Sequence, residues 1–134
     1  MQLSELKQNS RAVEEGAWID DIPGCGDLRV KTRGLNNADY RAAMERKLKA
    51  VPRKERRAGL GPQTERRLQV ECLVETCLQE WQNLQGANGP IPIAEAKALL
   101  LDPDYEPLFQ GCVYAAAVVG DEAAADQEIQ RGNS

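Results

Sequence analysis

Histidine is absent from this chain, and aromatic residues make up only 4 % of it. Without histidine, Ser-His and Cys-His catalytic pairs are excluded, and so are zinc sites that use imidazole. The adjacent acids Glu14-Glu15 and Asp20-Asp21 stand among polar residues, where solvation is their ordinary state. The glycine segments 24–26 and 59–61 lack the context of a phosphate-binding loop. We therefore predict no catalytic residue, no cofactor-binding residue, no metal ligand and no enzymatic activity.

Long apolar runs are also missing. No stretch approaches the roughly 18 apolar residues that a membrane helix requires. The N-terminal residues MQLSELKQNSRAVEEG do not follow the basic-then-apolar pattern of a signal peptide. The sequence therefore predicts a protein with no membrane association, located in the cytosol.

The cysteine spacing argues against cross-links. Cys72 and Cys77 fall on one predicted helix and point about 140° apart, which suits neither a disulfide nor a zinc knuckle. Cys25 lies in the turn PGCG, where it can be exposed, and Cys112 lies in an apolar helix. We predict four reduced thiols, three of them packed as small core residues.

Charge is abundant but unevenly spread along the chain. Residues 1–67 carry 15 Lys/Arg and 10 Asp/Glu, whereas residues 68–134 carry 2 and 11, within a total charge of -4. A chain polarised in this way can bind copies of itself head to tail, or bind a charged partner. Solvated helix faces account for the split equally well, and the sequence leaves both interpretations open.

The basic charge concentrates in residues 46–67, and its candidate partner-binding residues are Arg53, Lys54, Arg56 and Arg57. Such a density can neutralise phosphates, which makes a small nucleic-acid-binding regulator the alternative function. No aromatic residue interleaves with these cations, so no platform is available for stacking bases. Contact with the acidic half of a neighbouring subunit is the favoured interpretation over nucleic acid.

Hydrophobic periodicity predicts one mainly α domain (α+β) over residues 1–134, with about four helices and an N-terminal β-hairpin. The hairpin is expected over 17–33, because Leu28, Val30 and Thr32 alternate with charged residues after a Pro-Gly turn. The helical part is expected over 38–125, and both ends, 1–16 and 126–134, are expected to fray, with a helical turn or two as the alternative for the N-terminal residues.

Within the helical part, caps and breakers predict the individual helices. Asn37 is a suitable N-cap for the first helix, and Trp81 belongs to the apolar stripe of the longest one. The segment 52–62 is predicted as a loop or a short helix between breaks. The predicted helices are Ala38–Ala50, Thr64 to about Leu84, Ala94–Leu101, and Tyr105 or Pro107 to about Ala125.

Two longer patterns carry a family resemblance. The first is a Trp-containing strand, a turn and the segment RVKTRGLNNADYRAAMERKL; the second is EWQNL followed by GANGPIPIAEAKALLLDPDYEPLFQGCVYAA. In both patterns the chain resembles the tail assembly chaperones of long-tailed bacteriophages, over about residues 17–120. Ile93 departs from the pattern, because a hydroxyl residue is the natural cap at that position.

The resemblance implies a late phage protein of the host bacterial cytoplasm that is absent from the finished virion. Such chaperones coat the tape measure protein, recruit tail tube protein and act as homo-oligomers, and the family often has a longer frameshifted form. On the last helix the predicted partner contacts are Leu108, Phe109, Cys112 and Ala116, although packing within the chain accounts for them equally well. A third possibility is a structural joining protein that stays in the particle.

Overall fold

The computed structural model describes residues 11–132, with side chains as far as Asp121. A three-stranded antiparallel sheet has the order β1 (Ala17–Ile19), β2 (Arg29–Thr32), β3 (Leu78–Gln82), and a second hairpin pairs β4 (Gln85–Gly86) with β5 (Gly89–Pro90). The helices are α1 (Ala38–Ala50), α2 (Arg53–Ala58), α3 (Pro62–Thr76), α4 (Ala96–Leu101) and α5 (Glu106–Gly132). The predicted fold class, mainly helical α+β with an N-terminal hairpin, is confirmed.

The hairpin follows the predicted alternation. Ile19 lies opposite Val30, and Val30 lies opposite Trp81. Leu28, Val30 and Thr32 are buried, while Arg29 and Lys31 remain partly exposed on the other face. A two-stranded sheet is marginal in water, and the sequence left open whether helices or a second copy would support this one. The support comes from the chain's own β3 and from α5.

The first predicted helix is correct at both ends. Asn37 caps α1, its side-chain oxygen accepting a hydrogen bond of 2.8 Å from the Tyr40 amide. Pro52 then ends the helix, and the basic segment forms α2, one of the two conformations expected for it. Because α1 and α3 pack against each other, they form a helical hairpin with α2 at its tip.

The prediction of a long helix to about Leu84 is wrong. Helix α3 begins at Pro62, with Gly61 at the N-cap, and ends at Thr76, whose hydroxyl donates to the Cys72 carbonyl over 2.7 Å. The chain then turns into β3, which covers the buried β2 strand. Trp81 is therefore a core residue, 6 % exposed, but it packs from a strand.

Two short 3-10 turns lead into the last helices. Ile93–Glu95 precedes α4 without a side-chain cap, and Pro103–Tyr105 precedes α5. Helix α5 continues to Gly132, beyond the predicted end near Ala125. Residues 11–15 are helical, whereas 1–10 and 133–134, where fraying is expected, lie outside the described residues. None of the helices within 11–132 has the length and apolar character that crossing a membrane requires.

The core lies between the sheet, α3, α4 and α5. Cys72, Cys77 and Cys112 are buried in it and Cys25 is half-buried, as predicted for unpaired thiols. The indole of Trp81 donates to the Ile91 carbonyl over 2.7 Å, which fixes the Pro-Ile-Pro segment against the sheet. The largest fully buried apolar side chains include Val30, Val70, Leu73 and Leu100.

Candidate partner-binding site

The predicted contact residues of the last helix lie mainly inside the protein. Phe109 is 5 % exposed, and Cys112 and Ala116 are 0 % exposed. Strand β2 packs on this face of α5, and the Leu35 amide donates to the Ala116 carbonyl over 3.0 Å. Packing within the chain accounts for these three residues, so that of this set Leu108 alone reaches the surface, half-buried.

Other apolar side chains on the same part of the chain do reach the solvent. Leu101 is 37 % exposed and lies two residues before the turn Pro103–Tyr105, and Tyr105 is 49 % exposed at the end of that turn. Asp102 fixes that turn, because its side chain accepts from the Asp104 amide over 2.9 Å and its carbonyl accepts from the Tyr105 amide over 3.0 Å. Leu101 and Tyr105 are not among the predicted contacts, although a tyrosine beside an Asp-Pro-Asp turn is a usable signal of exposure.

Two clefts adjoin this turn. The Tyr105 cleft has a volume of about 240 Å³, and the Leu101 cleft has a volume of about 460 Å³. The Tyr105 cleft is lined by Gly24, Cys25, Leu28, Asn83, Leu84, Asp104, Tyr105, Pro107 and Leu108. The Leu101 cleft is lined by Pro62, Gln63, Arg66, Leu101, Pro103 and Glu106.

A bidentate ion pair builds one wall of the Leu101 cleft. The Arg66 guanidinium donates to both carboxylate oxygens of Glu106 over 2.6 and 2.9 Å, and it lies 3.7 Å from the centre of the Phe109 ring. Gln110 donates to the same carboxylate over 2.9 Å. The hydrogen bonds from Arg66 and then Gln110 lower the pKa of Glu106 to about 2. Helices α3 and α5 are thereby held together beside the cleft.

We expect Glu106→Gln to weaken the acid dependence of stability. The folded pKa of Glu106 is about 2, below its ordinary value of 4.5, so its stabilising contribution is present above the unfolded pKa and is lost as the pH falls toward the folded one. Melting temperatures measured from about pH 5 to about pH 2 should therefore fall further in the wild type than in the variant.

The matched control for that experiment is Glu95→Gln. Glu95 is an exposed carboxylate that forms no ion pair with the side chains of residues 11–121. Its replacement should leave the fall of the melting temperature with decreasing pH as steep as in the wild type. If the melting temperature fell equally with decreasing pH in the wild type and in Glu106→Gln, the low pKa assigned to Glu106 would be contradicted.

The Tyr105 cleft contains one cysteine, Cys25, and Cys112 is buried in the core. Burial raises the pKa of the Cys25 thiol, whose sulfur lies 3.6 Å from the Pro107 carbonyl oxygen, and it raises the pKa of Cys112 to about 12. Both thiols are therefore protonated near neutral pH, which lowers their reactivity as nucleophiles. Within residues 11–132, no cluster of cysteines and carboxylates is arranged to hold a metal ion.

Part of the charge split is balanced inside the fold. Lys47 pairs with Glu71 at 3.3 Å and with Glu75 at 2.9 Å, and Arg67 reaches Glu71 at 3.6 Å. Arg46 adds a longer pair with Glu75 at 3.7 Å. The acidic second half of the chain thus pairs with four of the nine cations of residues 46–67 within one copy, namely Arg46, Lys47, Arg66 and Arg67.

Helix α2 is different from its surroundings. Its four predicted contact residues are all exposed, and none forms an ion pair with the side chains described through residue 121. They are Arg53, Lys54, Arg56 and Arg57. The only carboxylate of the helix, Glu55, is engaged by the Thr64 hydroxyl over 2.6 Å. None of these four basic residues lines either cleft.

A sequence model of the YdaY prophage protein family matches residues 35–133, which include α1 to α5 and β3. The chain belongs to this family. It is therefore a phage-derived protein, in agreement with the phage origin that the resemblance implies. The matched YdaY region contains α2 and the turn between the two clefts, whereas the N-terminal hairpin precedes it. No curated protein and no solved structure matches the chain.

Proposed function

We propose that this YdaY-family protein is a non-enzymatic tail assembly chaperone that binds the tape measure protein and recruits tail tube protein. It acts in the host bacterial cytoplasm and does not remain in the virion. The observation that carries the proposal is the exposure of Leu101 and Tyr105, at 37 % and 49 %, beside two clefts. Both residues belong to the segment GPIPIAEAKALLLDPDYEPLF, which resembles the tail chaperones.

The shape of this surface suits an amphipathic helix. Side chains three or four positions apart on a helix lie about 5–6 Å from one another, so that they present one continuous apolar stripe to a partner surface. A tape measure chain presents such apolar stripes before the tail tube encloses it, and uncovered stripes aggregate. Asp102 and Asp104 lie at the same turn and favour a stripe flanked by lysine or arginine.

Clefts of 240 and 460 Å³ hold a few side chains rather than a whole folded surface. One such contact is weak, but many copies along one filament reach a high combined affinity. The proposal therefore includes association between copies of the chaperone on the tape measure chain.

The proposal is tested by co-expression with the tape measure protein of the same prophage. We expect the wild-type chaperone to keep that protein in the soluble fraction. The double variant Leu101→Asp/Tyr105→Asp should leave it in the pellet, because each new carboxylate must be desolvated to enter an apolar contact. Both positions are exposed, so circular dichroism should show the fold of the variant unchanged.

Tyr114→Asp is the matched control, since Tyr114 is 42 % exposed but lines neither cleft. It should retain full solubilising activity. A tape measure protein that precipitates with wild-type chaperone, or stays soluble with the double variant, would overturn the proposal. Mass spectrometry of purified particles separates a chaperone, which is absent, from a joining protein, which is present.

A further inference from the structure

The cationic face of α2 forms a second surface with a different chemistry. At 100° per residue, the four basic side chains of Arg53–Ala58 fall within an arc of about 160°, and Glu55 points to the opposite side. The hydroxyl of Thr64 holds Glu55 there at 2.6 Å. Three of the four cations are arginines, whose planar donors match the oxygens of phosphate in pairs.

Repulsion between the cations of this face destabilises α2 in the isolated chain. Like charges three and four positions apart destabilise a helix, and α2 contains such pairs, for example Arg53 with Arg57. The neighbouring cations Lys47 and Arg66 are paired with carboxylates of the same chain. A partner that supplies several negative charges would relieve the repulsion on α2.

The absence of apolar groups around this face decides between two kinds of partner. Protein interfaces have apolar, aromatic-rich centres, whereas interfaces with nucleic acid are polar and strongly positive. The exposed large hydrophobic residues of the described chain are Leu101, Tyr105 and Tyr114, and none lies on α2. The flanking residues are prolines and glycines, which hold the short helix at the tip of the α1–α3 hairpin.

We propose that the face formed by Arg53, Lys54, Arg56 and Arg57 binds the phosphate backbone of nucleic acid without reading its sequence. The lack of aromatic residues means that bases are not stacked, so that recognition is electrostatic. This surface is separate from the clefts at Leu101 and Tyr105, and the inference does not depend on the proposed chaperone function.

Fluorescence anisotropy with a labelled DNA duplex, at increasing salt, tests the proposal. Four phosphate contacts give a slope of log K against log salt of about -3.6, which is an affinity loss of about 100-fold between 50 and 200 mM. Arg53→Gln/Arg57→Gln should reduce the steepness of the slope by about 1.8. A single strand of the same length should show the same dependence on these residues with a shallower slope, about -0.7 per contact.

The matched control removes the same charge elsewhere. Arg41 and Lys97 are exposed cations on α1 and α4, and Arg41→Gln/Lys97→Gln should leave the slope as in the wild type. Thermal melts confirm that both double variants fold. The proposal would be overturned if the two double variants reduced the slope of log K against log salt equally. It would also be overturned if the wild type did not bind the duplex at low salt. So would competition by poly-L-glutamate as strong as that of unlabelled DNA at equal charge concentration, because the surface would then be one for acidic proteins.

Discussion

Replacing Asn37 with alanine is expected to lower the free energy of unfolding by about 3 kcal/mol. The side chain is 0 % exposed and has two roles. Its oxygen caps α1 by accepting from the Tyr40 amide over 2.8 Å, and its amide donates to the Gly34 carbonyl over 2.8 Å and the Thr76 carbonyl over 3.3 Å. The cap contributes about 1 kcal/mol and each hydrogen bond contributes about 1 kcal/mol.

Asn37→Asp separates the two roles. Aspartate is as good an N-cap as asparagine, so a residue that only caps would tolerate this change. Here the new carboxylate would face two carbonyl oxygens and the Cys77 sulfur, which lies 3.4 Å from the Asn37 amide nitrogen. We expect Asn37→Asp to be at least as destabilising as Asn37→Ala near neutral pH. Urea denaturation measures both variants, and a near-neutral Asn37→Asp would show that the amide donor is unimportant.

The same residue shows which parts of this fold are predictable from sequence. The cap at Asn37, the alternation through Val30 and the Pro52 break are local signals, and α1 and β2 follow them. The hydrogen bond from Asn37 to the Thr76 carbonyl could not be predicted, because it requires the end of α3 beside the start of α1. That neighbourhood arises only when the helical hairpin closes.

Strand β3 was missed for a physical reason. The apolar spacing of α3 continues past its end through Trp81 and Leu84, and no glycine or proline interrupts it. Periodicity alone therefore favours a helix. The strand forms because pairing with β2 covers Val30, which is a tertiary gain that overrides local preference.

The sequence indicated which kinds of residue are available for partner contact, but not which apolar residues reach the surface. Arg53, Lys54, Arg56 and Arg57 are exposed, because a basic segment between prolines has no apolar face to bury, and their role as partner contacts stays a prediction. On the last helix the predicted contacts include Phe109 and Cys112, which the sheet and α3 cover, and they do not include Leu101 and Tyr105. An apolar stripe shows that a face is covered, but not whether the cover is the same chain.

Substitution of Gly111 is expected to have the second large effect on stability, because two side chains lie close to its Cα. A Cβ atom built there would lie 2.6 Å from the Cys25 sulfur and 3.0 Å from Ile22 Cγ2. The loop between β1 and β2 packs on α5 at this point, and it supplies one side of the Tyr105 cleft. Gly111→Leu should therefore displace the loop and lower the free energy of unfolding by about 3 kcal/mol.

A double-mutant cycle identifies the contact responsible. Gly111→Ala gains about 1 kcal/mol of helix propensity but must displace the Cys25 sulfur, so we expect a net loss of stability in the wild-type background. In a Cys25→Ala background the sulfur is gone, and the next contact of the new methyl group is Ile22 Cγ2 at 3.0 Å. Gly111→Ala should then cost at least about 1 kcal/mol less than it does beside Cys25. Additive free energies in urea denaturation would mean that the sulfur moves away freely, and that Gly111 does not hold the loop against α5.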